Sequence, residues 1–211
     1  MSHHAGALER LTVAGPAGPL ETIAEVPQNP SAYYALVCHP HPVFGGTMDN
    51  KVVTTLARTF ATAGMPALRF NFRGVGASAG AFDQGRGETA DAFAVADYGA
   101  ARWPGRSLVL AGFSFGAYVA WRFAHERAVA RLILVAPPVD RFDFTDAAAP
   151  SAPCLVIQGD SDEVVDAGRV TAWVHGLTPT PSLAVMPQTG HFFHGQLTRL
   201  RDAVQDAIQG G

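Results

Sequence analysis

Six compact apolar runs, Tyr33-Cys38, Pro66-Phe72, Leu108-Ala111, Leu132-Val135, Cys154-Gln158 and Leu183-Met186, alternate with longer stretches whose apolar residues recur at mixed three- and four-residue spacing. A short continuous apolar run bounded by turn residues reads as a strand buried on both faces, and the intervening spacing reads as a helix with one apolar face. Strands and helices in such alternation pack as an α/β architecture, a mainly parallel sheet with helices on both faces. The predicted helices are Asn50-Ala63, Glu88-Arg102, Phe115-His125, Asp166-Leu177 and Gln196-Gln209, with Asp49 or Asn50, Asp166 and Thr198 as caps or first-turn polar groups. Two hairpin-like segments, Leu8-Val13 and Leu20-Val26, precede this pattern across the turn-forming stretch Gly15-Pro16-Ala17-Gly18-Pro19.

A chain of 211 residues, 48% of them hydrophobic, is expected to form one domain that buries its core without disulfides or metals. A formal charge of -3 with no local Lys/Arg run gives no footprint for nucleic acid. No apolar run approaches the ~18 residues of a membrane span, so no membrane partner is expected. Met1-Leu11 carries two histidines and an acid where a secretory signal has a basic start and a long apolar stretch, which points to the cytoplasm. Cys38 and Cys154 each adjoin an apolar run and read as buried small hydrophobes, in keeping with a reducing compartment.

The pattern Gly-x-Ser-x-Gly marks a serine on a strained strand-to-helix turn, where only small neighbours fit. It occurs twice, as Gly76-Ala77-Ser78-Ala79-Gly80 and as Gly112-Phe113-Ser114-Phe115-Gly116. Context separates them. Ser114 follows the apolar run Ser107-Ala111 and precedes the helix former Ala117-Ala124, whereas Ser78 is followed by a segment that Gly85 and Gly87 make a poor helix. Ser114 is therefore the expected nucleophile. Gly74-x-Gly76-x-x-Ala79 also resembles a dinucleotide fingerprint, but no helix begins within it to hold a pyrophosphate, so no cofactor is expected. The Gly- and Ala-rich segment Arg73-Gly87 reads as a loop on the rim of the site.

A serine hydroxyl is a weak nucleophile until a neutral histidine takes its proton and an acid orients that histidine. The strand Cys154-Gln158 runs into Gly159-Asp160-Ser161-Asp162-Glu163-Val164-Val165, which offers Asp162 as the acid, with Asp160 and Glu163 as local competitors and Asp166 resembling a helix cap. The last strand runs into Pro187-Gln188-Thr189-Gly190-His191-Phe192-Phe193-His194, where His191 is the preferred base and His194 the alternative. For the oxyanion, the Phe115 N–H follows the nucleophile directly. The loop His39-Pro40-His41-Pro42-Val43-Phe44-Gly45-Gly46 supplies a second donor, and since proline has no N–H, the His41 backbone is the best candidate. A metal pair at His39-x-His41 is the weaker reading, so metal binding is not expected, and the His39 ring is expected to pack the loop.

These segments together resemble the small, lidless α/β-hydrolases of bacteria, related to dienelactone hydrolases and to peptidase-like hydrolases of the same superfamily. The resemblance spans most of the chain. It rests on His39-Pro40-His41-Pro42 with Gly45-Gly46, on Phe70-Asn71-Phe72-Arg73-Gly74-Val75-Gly76, on Gly112-Gly116, on Gln158-Val165 and on His191-His194. It implies an eight-stranded sheet with one antiparallel strand near the start, and a triad of Ser114, Asp162 and His191. Dienelactone hydrolases proper carry a cysteine where this chain has Ser114. A lid in this superfamily follows the strand that here is Leu132-Val135, and Ala136-Pro153 leaves no room for a helical cap, so an open cleft for small or polymeric ester substrates is expected. The resemblance fixes no substrate; the leading expectation is cleavage of a carboxylic ester or thioester through an acyl-serine. The same triad could act on an amide, a lactone or a polyester, and the fold could also serve a non-catalytic binding protein.

Overall fold

The computed structural model describes residues 7–145 and 148–209. Among these, eight strands form one sheet in the order β1-β2-β4-β3-β5-β6-β7-β8. They are β1 (Ala7–Gly15), β2 (Gly18–Val26), β3 (Tyr33–Cys38), β4 (Ala67–Phe70), β5 (Ser107–Phe113), β6 (Arg131–Val135), β7 (Cys154–Gly159) and β8 (Ser182–Met186). Only β2 runs against its neighbours, β1 and β4; the other pairings are parallel. The single antiparallel strand near the start is thus where the family resemblance places it.

Alternation along the central strands decides what each face receives. Ala35 and Val37 of β3 and Ile133 and Val135 of β6 point to one face, which α1 (Lys51–Thr62) covers with Val53, Leu56 and Phe60 and α5 (Leu197–Gln209) with Leu200 and Val204. Leu36 and Cys38 of β3 and Leu132 and Leu134 of β6 point to the other. There they meet α2 (Arg86–Arg102), α3 (Phe115–Glu126) and α4 (Ala167–Gly176) through Val95, Val119, Trp121, Phe123 and Val170. Both faces of these strands are apolar because both are covered. Asn50 caps α1 by accepting from Val52 N at 2.9 Å, and Asp166 caps α4 by accepting from Arg169 N at 2.8 Å. Cys38 and Cys154 are free and buried, and burial pushes both thiols up.

Most elements end within two residues of the sequence reading, as where β5 runs on to Phe113 rather than stopping at Ala111, and two of the differences have a local side-chain reason. β4 stops at Phe70 rather than Phe72, because Phe72 N leaves the ladder and donates to His39 Nε2 at 3.0 Å. α2 begins at Arg86 rather than Glu88, because the buried Glu88 carboxylate accepts from Asp83 N at 2.8 Å and from Gly85 N at 2.7 Å, adding a turn ahead of it. The loop between them is fastened by Arg73, whose side chain donates twice to the fully buried Asp91, at 3.0 and 2.8 Å. Residues 136–153 join β6 to β7 without a helix among those described.

Candidate active site

The turn from β5 into α3 is built around two glycines. A Cβ on Gly112 would lie 2.0 Å from Gly116 O, and one on Gly116 would lie 2.2 Å from Cys38 O and 2.6 Å from His39 O. The start of α3 therefore rests directly on the backbone that ends β3. Between the glycines, Ser114 takes φ +54° and ψ -121°, a conformation that L-residues adopt at a cost of roughly 1–3 kcal/mol. This bend lifts the side chain off the sheet's carboxyl edge, and Ser114 is only 9% exposed.

Two loops bring their side chains to that point. His191 Nε2 lies 3.1 Å from Ser114 Oγ, and His191 Nδ1 lies 2.8 Å from Asp162 Oδ2. An ionised carboxylate only accepts, so Nδ1 carries the imidazole proton and Nε2 presents its lone pair to the serine hydroxyl. Asp162 is held from four directions. Its Oδ1 accepts from Val164 N at 2.8 Å and Val165 N at 2.7 Å, and its Oδ2 also accepts from Gln158 Nε2 at 3.0 Å. Burial pushes the Asp162 carboxyl up, but the His191 contact and the two backbone donors outweigh it and leave its pKa below the ordinary value.

The competitors fall elsewhere. Asp160 is exposed and accepts from Ser161 Oγ. Glu163 accepts from the His191 main-chain N–H at 3.1 Å, so one carboxylate holds the imidazole while its neighbour holds the backbone that carries it. His194 is exposed, with its ring against Phe192. Ser78 is a staple: its Oγ donates to Asn71 O at 2.7 Å and accepts from Glu21 N at 2.9 Å, which ties the rim loop to β2.

Beside the turn lies the loop after β3. Phe115, at the first position of α3, has an N–H that its own helix cannot engage. The His41 ring lies 5.0 Å from the Phe115 ring, which places this loop against the nucleophile turn. The loop is anchored by His39, whose ring is fully buried; Nε2 accepts from Phe72 N, so Nδ1 is protonated and donates to Pro40 O at 2.6 Å. With both nitrogens engaged, His39 packs the loop as expected.

Burial drives the His39 pKa down to about 3, partly offset by the Pro40 carbonyl. Because the unfolded imidazole binds a proton near pH 6.5 and the folded one does not, stability is full above pH 6.5 and is lost as pH falls toward 3. Urea unfolding between pH 6.5 and 4 should show a loss of about 3 kcal/mol from this group. In His39→Gln, which can still accept from Phe72 N, that part of the slope should vanish; an unchanged slope would place the acid sensitivity elsewhere.

Gln158 is a site residue that motif reading did not assign, and Glu163, read there only as a competing acid, instead holds the His191 backbone. The signal for Gln158 was a polar side chain closing an otherwise apolar strand just before the acid loop.

Comparison with known proteins gives the geometry a family. A Rickettsia prowazekii protein described as uncharacterized is 35% identical over 204 residues, covering 92% of this chain and 86% of its own. A Xanthomonas campestris structure described as an α/β serine hydrolase without a lid superposes with a TM-score of 0.92 at 45% identity, over 99% of this chain and 97% of that one. This chain belongs to the lidless α/β serine hydrolases of bacteria. A Coxiella burnetii α/β serine hydrolase homologue aligns with the hydrolase at a TM-score of 0.91 and 42% identity, over 97% and 98% of the two chains. The family model described as serine aminopeptidase S33 matches residues 43–143, the part of the hydrolase that holds Ser114 and the rim loop.

Proposed function

We propose that this serine hydrolase cleaves a carboxylic ester or thioester through an acyl-serine intermediate, with Ser114 as nucleophile, His191 as base and Asp162 as the orienting acid. The observation that carries the reading is the unbroken chain from Asp162 Oδ2 through both nitrogens of His191 to Ser114 Oγ, at 2.8 and 3.1 Å. Ser114 Oγ attacks the acyl carbon as its proton passes to His191 Nε2. The oxyanion that forms is met by the backbone N–H groups of Phe115 and His41. Collapse expels the alcohol or thiol, which takes the proton from His191 Nε2. Water then attacks the acyl-serine, gives its proton to the same nitrogen, and frees the acid as Ser114 recovers its hydrogen. No cofactor enters any step.

An open cleft favours esters and thioesters of soluble acids over lipids whose long tails need an enclosed channel. A fluorophosphonate probe followed by peptide mapping tests the assignment. The adduct should sit on Ser114 alone, since Ser78 Oγ is committed to Asn71 O and has no base. Labelling of Ser78, or none of a folded sample, would overturn the reading.

A further inference from the structure

One wall of the site is made of rings. His41 lies 4.8 Å from Phe44, 4.8 Å from Phe82, 5.0 Å from Phe115 and 6.0 Å from Phe142, ring centre to ring centre. Tyr118 stacks on Phe142 from behind, at 4.8 Å with 26° between planes. The rings come from four separate segments: His41 and Phe44 follow β3, Phe82 follows β4, Phe115 and Tyr118 follow β5, and Phe142 follows β6. Each of these loops leaves the carboxyl edge of the sheet, where an open α/β fold binds its ligands.

This wall is not closed core. Phe44 is 82% exposed, and His41, Phe82 and Phe142 are half-buried, while Phe115 beneath them is buried. Phe44 closes the short helical turn Pro42–Phe44, in which Val43 is exposed too, so two large apolar side chains face water beside the nucleophile turn. Burial pushes the His41 pKa down, which favours the neutral ring. The wall is therefore uncharged and flat-sided, and it begins within one residue of both oxyanion donors. A substrate carbonyl seated there projects one of its substituents onto ring faces and edges. Flat groups gain more from such partners than saturated ones of equal size, because quadrupole contacts add to area burial.

Resting on the esterase reading above, the geometry points to an uncharged ester that carries an aryl group on its acyl or alcohol side as the substrate class, with the aryl ring packed among His41, Phe82 and Phe142. Straight alkyl chains find no tunnel in a lidless cleft, and a positive charge beside the wall, Arg122, is engaged with Tyr118, 5.8 Å over its ring and donating to its hydroxyl at 3.3 Å.

Two matched ester pairs test it: ethyl 3-phenylpropanoate against ethyl 3-cyclohexylpropanoate, and 2-phenylethyl acetate against 2-cyclohexylethyl acetate. The first pair places the ring on the acyl side and the second on the alcohol side, at nearly equal intrinsic reactivity. In at least one pair the aryl member should lead in kcat/KM by roughly tenfold. In Phe82→Leu and Phe142→Leu the ratio in that pair should fall toward one, each variant being checked by its melting temperature. If one variant does not fold, the other carries the test. Ratios near one in both pairs, or a ratio that survives both substitutions, overturn the inference. Fluorophosphonate labelling of Ser114 with no turnover of any of the four esters overturns the aryl assignment and leaves the serine-hydrolase reading standing. Absence of labelling overturns both.

Discussion

Replacing Ser114 by alanine should lower kcat by roughly 10³–10⁶-fold on any ester the protein turns over, while its thermal unfolding stays close to that of the parent. The loss is large because in the proposed mechanism Oγ makes and breaks the acyl bond; His191 and the proposed oxyanion donors remain but have nothing to activate. The fold survives because the hydroxyl's hydrogen-bond partner among the described residues is His191 Nε2. Ser114→Gly sharpens the comparison. Glycine adopts φ +54° without the penalty a side chain incurs, so this variant should lose the same activity and unfold at equal or higher urea. A variant that unfolds readily while a residual fast activity persists would show that Ser114 is structural. Initial rates and equilibrium unfolding on the same samples decide it.

The second large effect falls on a residue with no functional group. Gly116→Ala puts a methyl 2.2 Å from Cys38 O and 2.6 Å from His39 O, and neither is the tip of a side chain that could swing away. Either β3 or the start of α3 must shift, which should cost about 3 kcal/mol of stability. The same shift separates the Phe115 and His41 amides, and misplacement by about 1 Å is enough to cost on the order of 10²-fold in rate. Gly176→Ala is the control. It lies at the end of α4 with nothing within 4 Å of the added carbon, so it should stabilise by several tenths of a kcal/mol and leave kcat alone. Equal behaviour of the two alanines would mean that the contact at Gly116 is not what holds the site.

The sheet and its helices were legible in the sequence because the central strand runs are apolar on both faces and helices such as α1 and α5 have one apolar side. Most ends moved by one or two residues, and at two of them a side chain captures a backbone N–H, as His39 does at Phe72 and Glu88 does at Gly85; periodicity carries no trace of such captures. The choice of Ser114 over Ser78 was legible from what flanks each pentapeptide. Ser78's own task was not, since its partners Glu21 and Asn71 are brought to it by the β2–β4 pairing. Glu163 could be read as a rival acid because its bond to the His191 backbone joins residues 28 apart in sequence. The ring wall was hidden for the same reason: its aromatics are scattered from His41 to Phe142, and only the convergence of four loops makes them neighbours.

That convergence divides the labour of the molecule. The nucleophile turn, the base and the acid are clamped to the sheet by glycine contacts and buried hydrogen bonds that tolerate little change. Phe44, Phe82 and Phe142 hang on three separate loops, so on the proposed reading a single exchange at any one of them should alter what the cleft welcomes without touching how it reacts. Such a scaffold can acquire a new diet one loop at a time, keeping its chemistry intact at every step.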